Sequence, residues 1–150
     1  MMMRQLLSVF CTFLLLVCMS NVNAKETNSP KKIVTQFFDL AFVQKHPIAA
    51  AKKYISATQY IQHNPEAPDG RDAFIKGFAA YVESTDYRCE IKRVIADSDI
   101  VAVHSHCKES ANDIGSAVVD IFRVENKLIV EHWDVLQAIP SKSANRNTMF

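Results

Sequence analysis

The chain has 150 residues, 49% of them hydrophobic and 22% charged, enough for one domain with a real core and too few for two comfortable ones. With 17 Lys and Arg against 16 Asp and Glu, the net charge is +1, so nothing in the balance points to nucleic acid or an anionic membrane as partner.

Residues 1–24, "MMMRQLLSVFCTFLLLVCMSNVNA", read as an export signal. Arg4 precedes an apolar run from Leu6 to Met19, and Val22 and Ala24 occupy the −3 and −1 places of a cleavage site. The run is short for a membrane span and has no stop-transfer charges, and Val17 is too large to precede a lipidated Cys18. The expected mature domain is therefore 25–150, secreted or periplasmic, with no membrane attachment after cleavage. Loss of the leader takes Arg4 and no acidic residue, leaving 16 basic and 16 acidic side chains. Cys89 and Cys107 remain, in a compartment that would let them pair.

After a polar lead-in, Ser29-Pro30 reads as a helix N-cap followed by proline at the first helical position. Ile33, Val34, Phe37, Phe38, Ala41 and Phe42 then recur at helical spacing, up to His46-Pro47. "IAAAKKYI" predicts a second, shorter helix. "SATQYIQHNPEAPDG" reads as turns at Asn64-Pro65 and Asp69-Gly70. "RDAFIKGFAAYVES" carries a third helical stripe through Phe74, Ile75, Phe78, Ala79 and Val82. From Tyr87 the period becomes two, and "YRCEIKRVIA", "IVAVHSHCK", "SAVVDIFRV" and "LIVEHWDVLQ" predict four strands. Helices followed by strands imply an α+β fold, with helices over one face of a curved antiparallel sheet. "SKSANRNTMF" predicts a short polar tail over the surface or over a partner subunit.

Register decides which polar residues converge. A three-residue turn at "ENK" pairs Val124 with Leu128, Phe122 with Val130 and Asp120 with His132. It sets Asp120, His132 and Asp134 on one face with Phe122 and Val130, and Ile121, Ile129, Trp133 and Val135 on the other. An odd-length loop around "DSD" likewise sets His104 and His106 opposite Val101, Val103 and Cys107. A two-residue loop would swap these relations. Pairing of Ala96 with Ile100 brings Cys89 opposite Cys107, whereas pairing of Ile95 with Asp99 leaves them diagonal; the reading leans to the second, without a bridge.

"YIQHNPEAPDGRDAF", "IKRVIADSDIVAVHSH", "AVVDIFRVENKLIVEHWDVLQAIP" and "ANRNTMF" together resemble the SnoaL-like branch of the nuclear transport factor 2-like superfamily over residues 30–150. The resemblance implies a cone-shaped, strongly curved sheet with helices packed over its concave face, a deep pocket and a homodimer. It also implies an aldol-type cyclase chemistry without cofactor or metal, with Asp120 as acid/base and His106, fourteen positions earlier, as its partner. This chain departs from the family's usual "VENGK" turn by carrying Asn126-Lys127, and departs from intracellular cyclases by its leader.

The expected pocket adds Tyr60, His63, His104, Phe122, His132, Trp133 and Asp134 as binding residues for a small apolar or carbonyl-containing molecule. Proton abstraction beside a carbonyl needs a positioned base of raised pKa, and donors such as His106, His63 or Tyr60 would hold the enolate oxygen. Cyclisation, isomerisation and dehydration all suit that set. A non-catalytic ligand-binding module is the alternative. A second alternative is a metal site through His104 and His106 with His63, His132 or an aspartate.

Overall fold

The computed structural model describes residues 29–150; the export signal expected over 1–24 lies outside the described residues. Helix α1 is Pro30–Phe38, and the Ser29 hydroxyl accepts the Lys32 N–H at its start, as the N-cap reading requires. It continues into a π-helical turn, Asp39–Val43. In an α-helix, residues four apart drift by about 40° around the axis. The wider π turn winds that drift back, so Ala41 and Phe42 stay buried behind Phe37 and Phe38. Helix α2 is Pro47–Tyr54. Helix α3 runs in three pieces, Arg71–Phe74, a π turn Ile75–Ala79, and Ala80–Ser84. Among the described residues, no helix is long and apolar enough to cross a membrane.

The helices lie over a curved, unclosed sheet of five strands: β1 (Ile61–Gln62), β2 (Arg88–Asp97), β3 (Ile100–Lys108), β4 (Ser116–Glu125) and β5 (Leu128–Ala138). Their order is β1-β5-β4-β3-β2, with β1 parallel to β5 and the other pairs antiparallel. The core fills the space between helices and concave face, with Val34, Phe37, Phe38, Val101, Val103, Phe122 and Ile129 almost wholly buried.

Both hairpins turn more tightly than "DSD" and "ENK" suggest. Glu125 pairs with Leu128 across Asn126 and Lys127, whose φ angles of 51° and 66° are those of a type I′ turn. Asp97 pairs with Ile100 across Ser98 and Asp99. A two-residue turn alone would reverse the faces. Each hairpin instead carries a β-bulge that restores them, at Lys92 in β2 and at Val130 in β5. The two-residue turn pairs Val124 with Ile129 and so turns Ile129, expected on the outer face, into the core, before the bulge in β5 restores the expected faces beyond Val130. Turn and bulge together shift the pairing by two from the expected register, so Asp120 faces Asp134 and Phe122 faces His132.

The bulge in β2 settles the cysteines. Beyond it Ile91 pairs with Ser105 and Cys89 lies directly opposite Cys107. The two form a disulfide with Cα atoms 4.0 Å apart. The expectation of unbridged cysteines is thus corrected: the turn pairs Asp97 with Ile100, unlike either pairing weighed from the sequence, and the bulge then brings the strand into the register that sets Cys89 opposite Cys107.

Candidate functional site

Alternation along each strand sorts the candidate residues onto two faces. Val103 pairs with Asp120 and His106 with Ala117. Even-numbered residues of β3 therefore share a face with odd-numbered residues of β4. His104 and His106 consequently sit on the convex face, away from Asp120, and the implied His106–Asp120 partnership does not form. His106 Nε2 donates to the Ile114 carbonyl at 2.8 Å, and Phe150 packs over both imidazoles, 5.4 Å from His104 and 4.7 Å from His106. Arg93 donates to His104 Nδ1 at 3.0 Å.

Trp133 and His63 are also brought to the convex face, stacked on each other at 4.5 Å and 5°. His63 Nε2 lies 2.8 Å from Glu131, which also accepts from Arg123 at 2.6 Å. These bonds hold the Glu131 carboxyl below its usual range, the Arg123 bond first. The alternative metal site, His104 and His106 with His63, His132 or an aspartate, does not assemble among the described residues: both strand histidines face outward, His132 faces inward, and His63 is taken by Trp133 and Glu131.

The concave side holds a cavity of about 490 Å³, within the range of small-molecule sites. Its walls are aromatic: Phe37 and Phe42 from α1 and its π turn, Phe74, Phe78 and Tyr81 from α3, Tyr87, and Phe122 of β4. Phe37 packs edge-on against Phe122 at 5.8 Å, and Phe74 meets Phe37 at 6.2 Å and Phe78 at 6.0 Å. The disulfide closes one side. Glu66, Phe78, Tyr81 and Leu136 are exposed at the opening, whereas Tyr60, Phe122 and His132 lie buried at the floor.

At that floor Asp120, His132 and Asp134 come together, their donor atoms within 4.8 Å of one another. Among the described residues this is the set that could hold a metal ion. Its hydrogen bonds form a chain. Gln62 Oε1 accepts the Asn64 backbone N–H at 3.0 Å and faces His132 Nδ1 at 2.9 Å. An oxygen acceptor there requires Nδ1 to carry hydrogen. His132 Nε2 lies 3.1 Å from Asp120 Oδ1, so that bond contains one proton, held either by the imidazole or by the carboxyl. Burial raises the Asp120 carboxyl above its usual value; His132 opposes the shift and the Asp134 charge adds to it. Burial, then Asp120 and Asp134, push the Tyr60 phenol up, so it stays an O–H donor at neutral pH.

Two residues essential to this floor escape the sequence reading. "YIQHNP" reads as turn, yet β1 is extended, so Tyr60, Gln62 and Asn64 share the inward face and His63 points out. Asn64 does serve the turn, its Oδ1 accepting the Glu66 N–H at 2.8 Å. That bond fixes the amide so that Nδ2 donates to both Asp134 oxygens, at 3.0 and 2.9 Å. The period-two spacing of Tyr60, Gln62 and Asn64 is the signal that could have revealed them.

Residues 34–132 match the family model described as the SnoaL-like domain. Among solved structures, a candidate SnoaL-like polyketide cyclase from Jannaschia sp. CCS1 is 15% identical, with a TM-score of 0.60 over 71% of this chain and 84% of that one. An NTF2-like protein of unknown function from Mesorhizobium loti is 21% identical, with a TM-score of 0.60 over 75% and 94%. TsrD from Streptomyces laurentii is 13% identical, with a TM-score of 0.58 over 71% and 87%. At such identities these likenesses concern the fold alone. No curated protein is close enough in sequence to count as a relative. The helix-capped cone, its inward aspartate on the third long strand and the match across two thirds of the sequence agree: the chain belongs to the SnoaL-like family.

Proposed function

We propose that the protein is an exported acid/base enzyme acting on a small carbonyl compound, with Asp120 as the base and His132 as its proton partner. The observation that carries this reading is the Gln62–His132–Asp120 chain at the floor of an apolar cavity. A carboxyl raised toward neutral pH is a stronger base than an ordinary one and still yields its proton readily. Asp120 removes the proton from the carbon next to the substrate carbonyl, and the electron pair moves onto the carbonyl oxygen. Tyr60 is the donor placed to stabilise that oxygen. His132, fixed by Gln62, keeps the shared proton on Nε2 while Asp120 takes the substrate proton on its other oxygen and returns it from there. Reprotonation elsewhere gives isomerisation, attack on a second carbonyl gives cyclisation, and loss of a β-hydroxyl as water gives dehydration.

The disulfide supports an oxidising compartment, consistent with the leader read in residues 1–24. Exposed Ile95 and Val135 support a homodimer through the convex face, a point read directly by light scattering on the mature chain.

The test needs no knowledge of the product. Incubation of a panel of ketones and β-diketones in D2O should show enzyme-dependent deuteration at the α-carbon by mass spectrometry, lost in Asp120→Asn. Retention of a bound compound with no exchange across the panel would instead assign the pocket to ligand binding alone.

A further inference from the structure

The charges lining the cavity are one-sided. Glu66 and Glu109 stand at its upper wall and Asp120 and Asp134 at its floor, while among the described residues no lysine or arginine lines it. The Asp120–His132 pair is neutral overall in either proton arrangement, because carboxylate with imidazolium and carboxylic acid with imidazole both sum to zero. Asp134 is different. Its two oxygens accept from the neutral Asn64 amide, and among the described residues it has no cationic partner. The contrast with Glu131 is direct, since that carboxylate on the convex face is paired with Arg123 and His63. A half-buried carboxylate without a counter-ion is costly in an apolar enclosure. The same negative potential, after burial, helps push up the phenols of Tyr60 and Tyr87.

Phe74, Phe78, Tyr87 and Phe122 line the same cavity as Asp134, and aromatic rings carry negative quadrupole density on their faces. Aromatic faces together with an unpaired carboxylate are what an organic cation seeks. A carboxylate or phosphate ligand meets repulsion at the rim and at the floor. A bare metal ion gains nothing from the apolar and aromatic walls.

We infer that the ligand of this pocket is an organic cation: an apolar or aromatic body bearing an ammonium or similar group, its charge held by Asp134 among the aromatic walls. This rests on the reading of the cavity as a small-molecule site and adds to it the class of molecule. For a substrate processed by Asp120, it means an amine-bearing carbonyl compound whose ammonium anchors on Asp134.

Three probes of one shape test it: phenyltrimethylammonium, the neutral tert-butylbenzene, and 4-tert-butylbenzoate, titrated by ligand-observed NMR against the folded mature chain. The cation should bind about tenfold more tightly than the neutral isostere, and the benzoate most weakly. Asp134→Asn should erase the preference while leaving tert-butylbenzene binding as it was. If Asp134→Asn fails to fold, the exposed double variant Glu66→Gln, Glu109→Gln should reduce the preference by a smaller factor. Equal or tighter binding of the neutral or anionic probe overturns the inference and leaves the pocket reading intact. Binding of none of the three overturns both. Zinc added alone, if it binds the floor and the organic cation does not, assigns Asp120, His132 and Asp134 to a metal and overturns the inference as well.

Discussion

The two faces of one sheet carry similar side chains and do opposite things with them. On the convex face, Glu131 is held by Arg123 and His63, and its carboxyl is lowered. On the concave face, Asp120 is enclosed by aromatic walls, and its carboxyl is raised. Convex histidines end on a carbonyl, an arginine or a tryptophan, whereas His132 ends on Asp120 and Gln62. The lesson is that enclosure decides the chemistry. A histidine–carboxylate pair in water is an ion pair of small worth; the same pair under aromatic side chains is a shared proton.

The largest expected break in this contrast is Asp120→Asn against His106→Ala. The first should lower α-proton exchange by about a hundred- to ten-thousand-fold, and the second should leave it unchanged, both read by the deuterium assay. Next comes the disulfide, which closes an 18-residue separation between β2 and β3. Cys89→Ala with Cys107→Ala should cost about 3 kcal/mol of unfolding free energy in a urea titration.

The two carboxylates then predict opposite pH slopes. The folded Asp120 carboxyl lies above its unfolded value, so between the two values the folded state binds more protons, and stability falls as pH rises. The folded Glu131 carboxyl lies below its unfolded value, so its contribution is complete above the unfolded value and is lost as pH falls through the folded one. Asp120→Asn should flatten the first slope and Glu131→Gln the second, by urea titrations across the acidic range. Smallest of all, Phe150→Ala uncovers His104 and His106 and should change stability by less than about 1 kcal/mol, with no effect on probe binding.

Much of this was legible in the sequence, and the rest failed for identifiable reasons. Helical stripes such as Ile33 to Phe42 and the strand alternation after Tyr87 reveal the fold, because burial on one face forces those periods. The alternation and the family resemblance point to Asp120, His132, Asp134, Tyr60 and Phe122 in one pocket, and all five line it. His104, His106, His63 and Trp133, expected in the same pocket, lie outside it. For His104 and His106 the cause is parity between β3 and β4, which depends on a register that the long connection Glu109–Gly115 leaves undetermined; Trp133 lies on the face opposite Asp120 by strand alternation, and His63 faces out because Tyr60, Gln62 and Asn64 take the inward positions. The bulges at Lys92 and Val130 carry no residue signature, since no glycine marks them. Asn126 and Lys127 both adopt left-handed backbone without a glycine, so the tight turn was hidden as well. Gln62 and Asn64 were missed because Asn64-Pro65 dominates as a turn signal over the two-residue strand before it.

The central claim is that Asp120 is a raised carboxyl sharing one proton with His132. Carbon-13 NMR of the aspartate carboxyls, titrated in the mature chain and in His132→Gln, reads it directly. Asp120 should titrate above the ordinary aspartate range and should move higher in His132→Gln, where the opposing imidazole is lost. Titration of Asp120 in the ordinary range, indifferent to His132, would contradict the account.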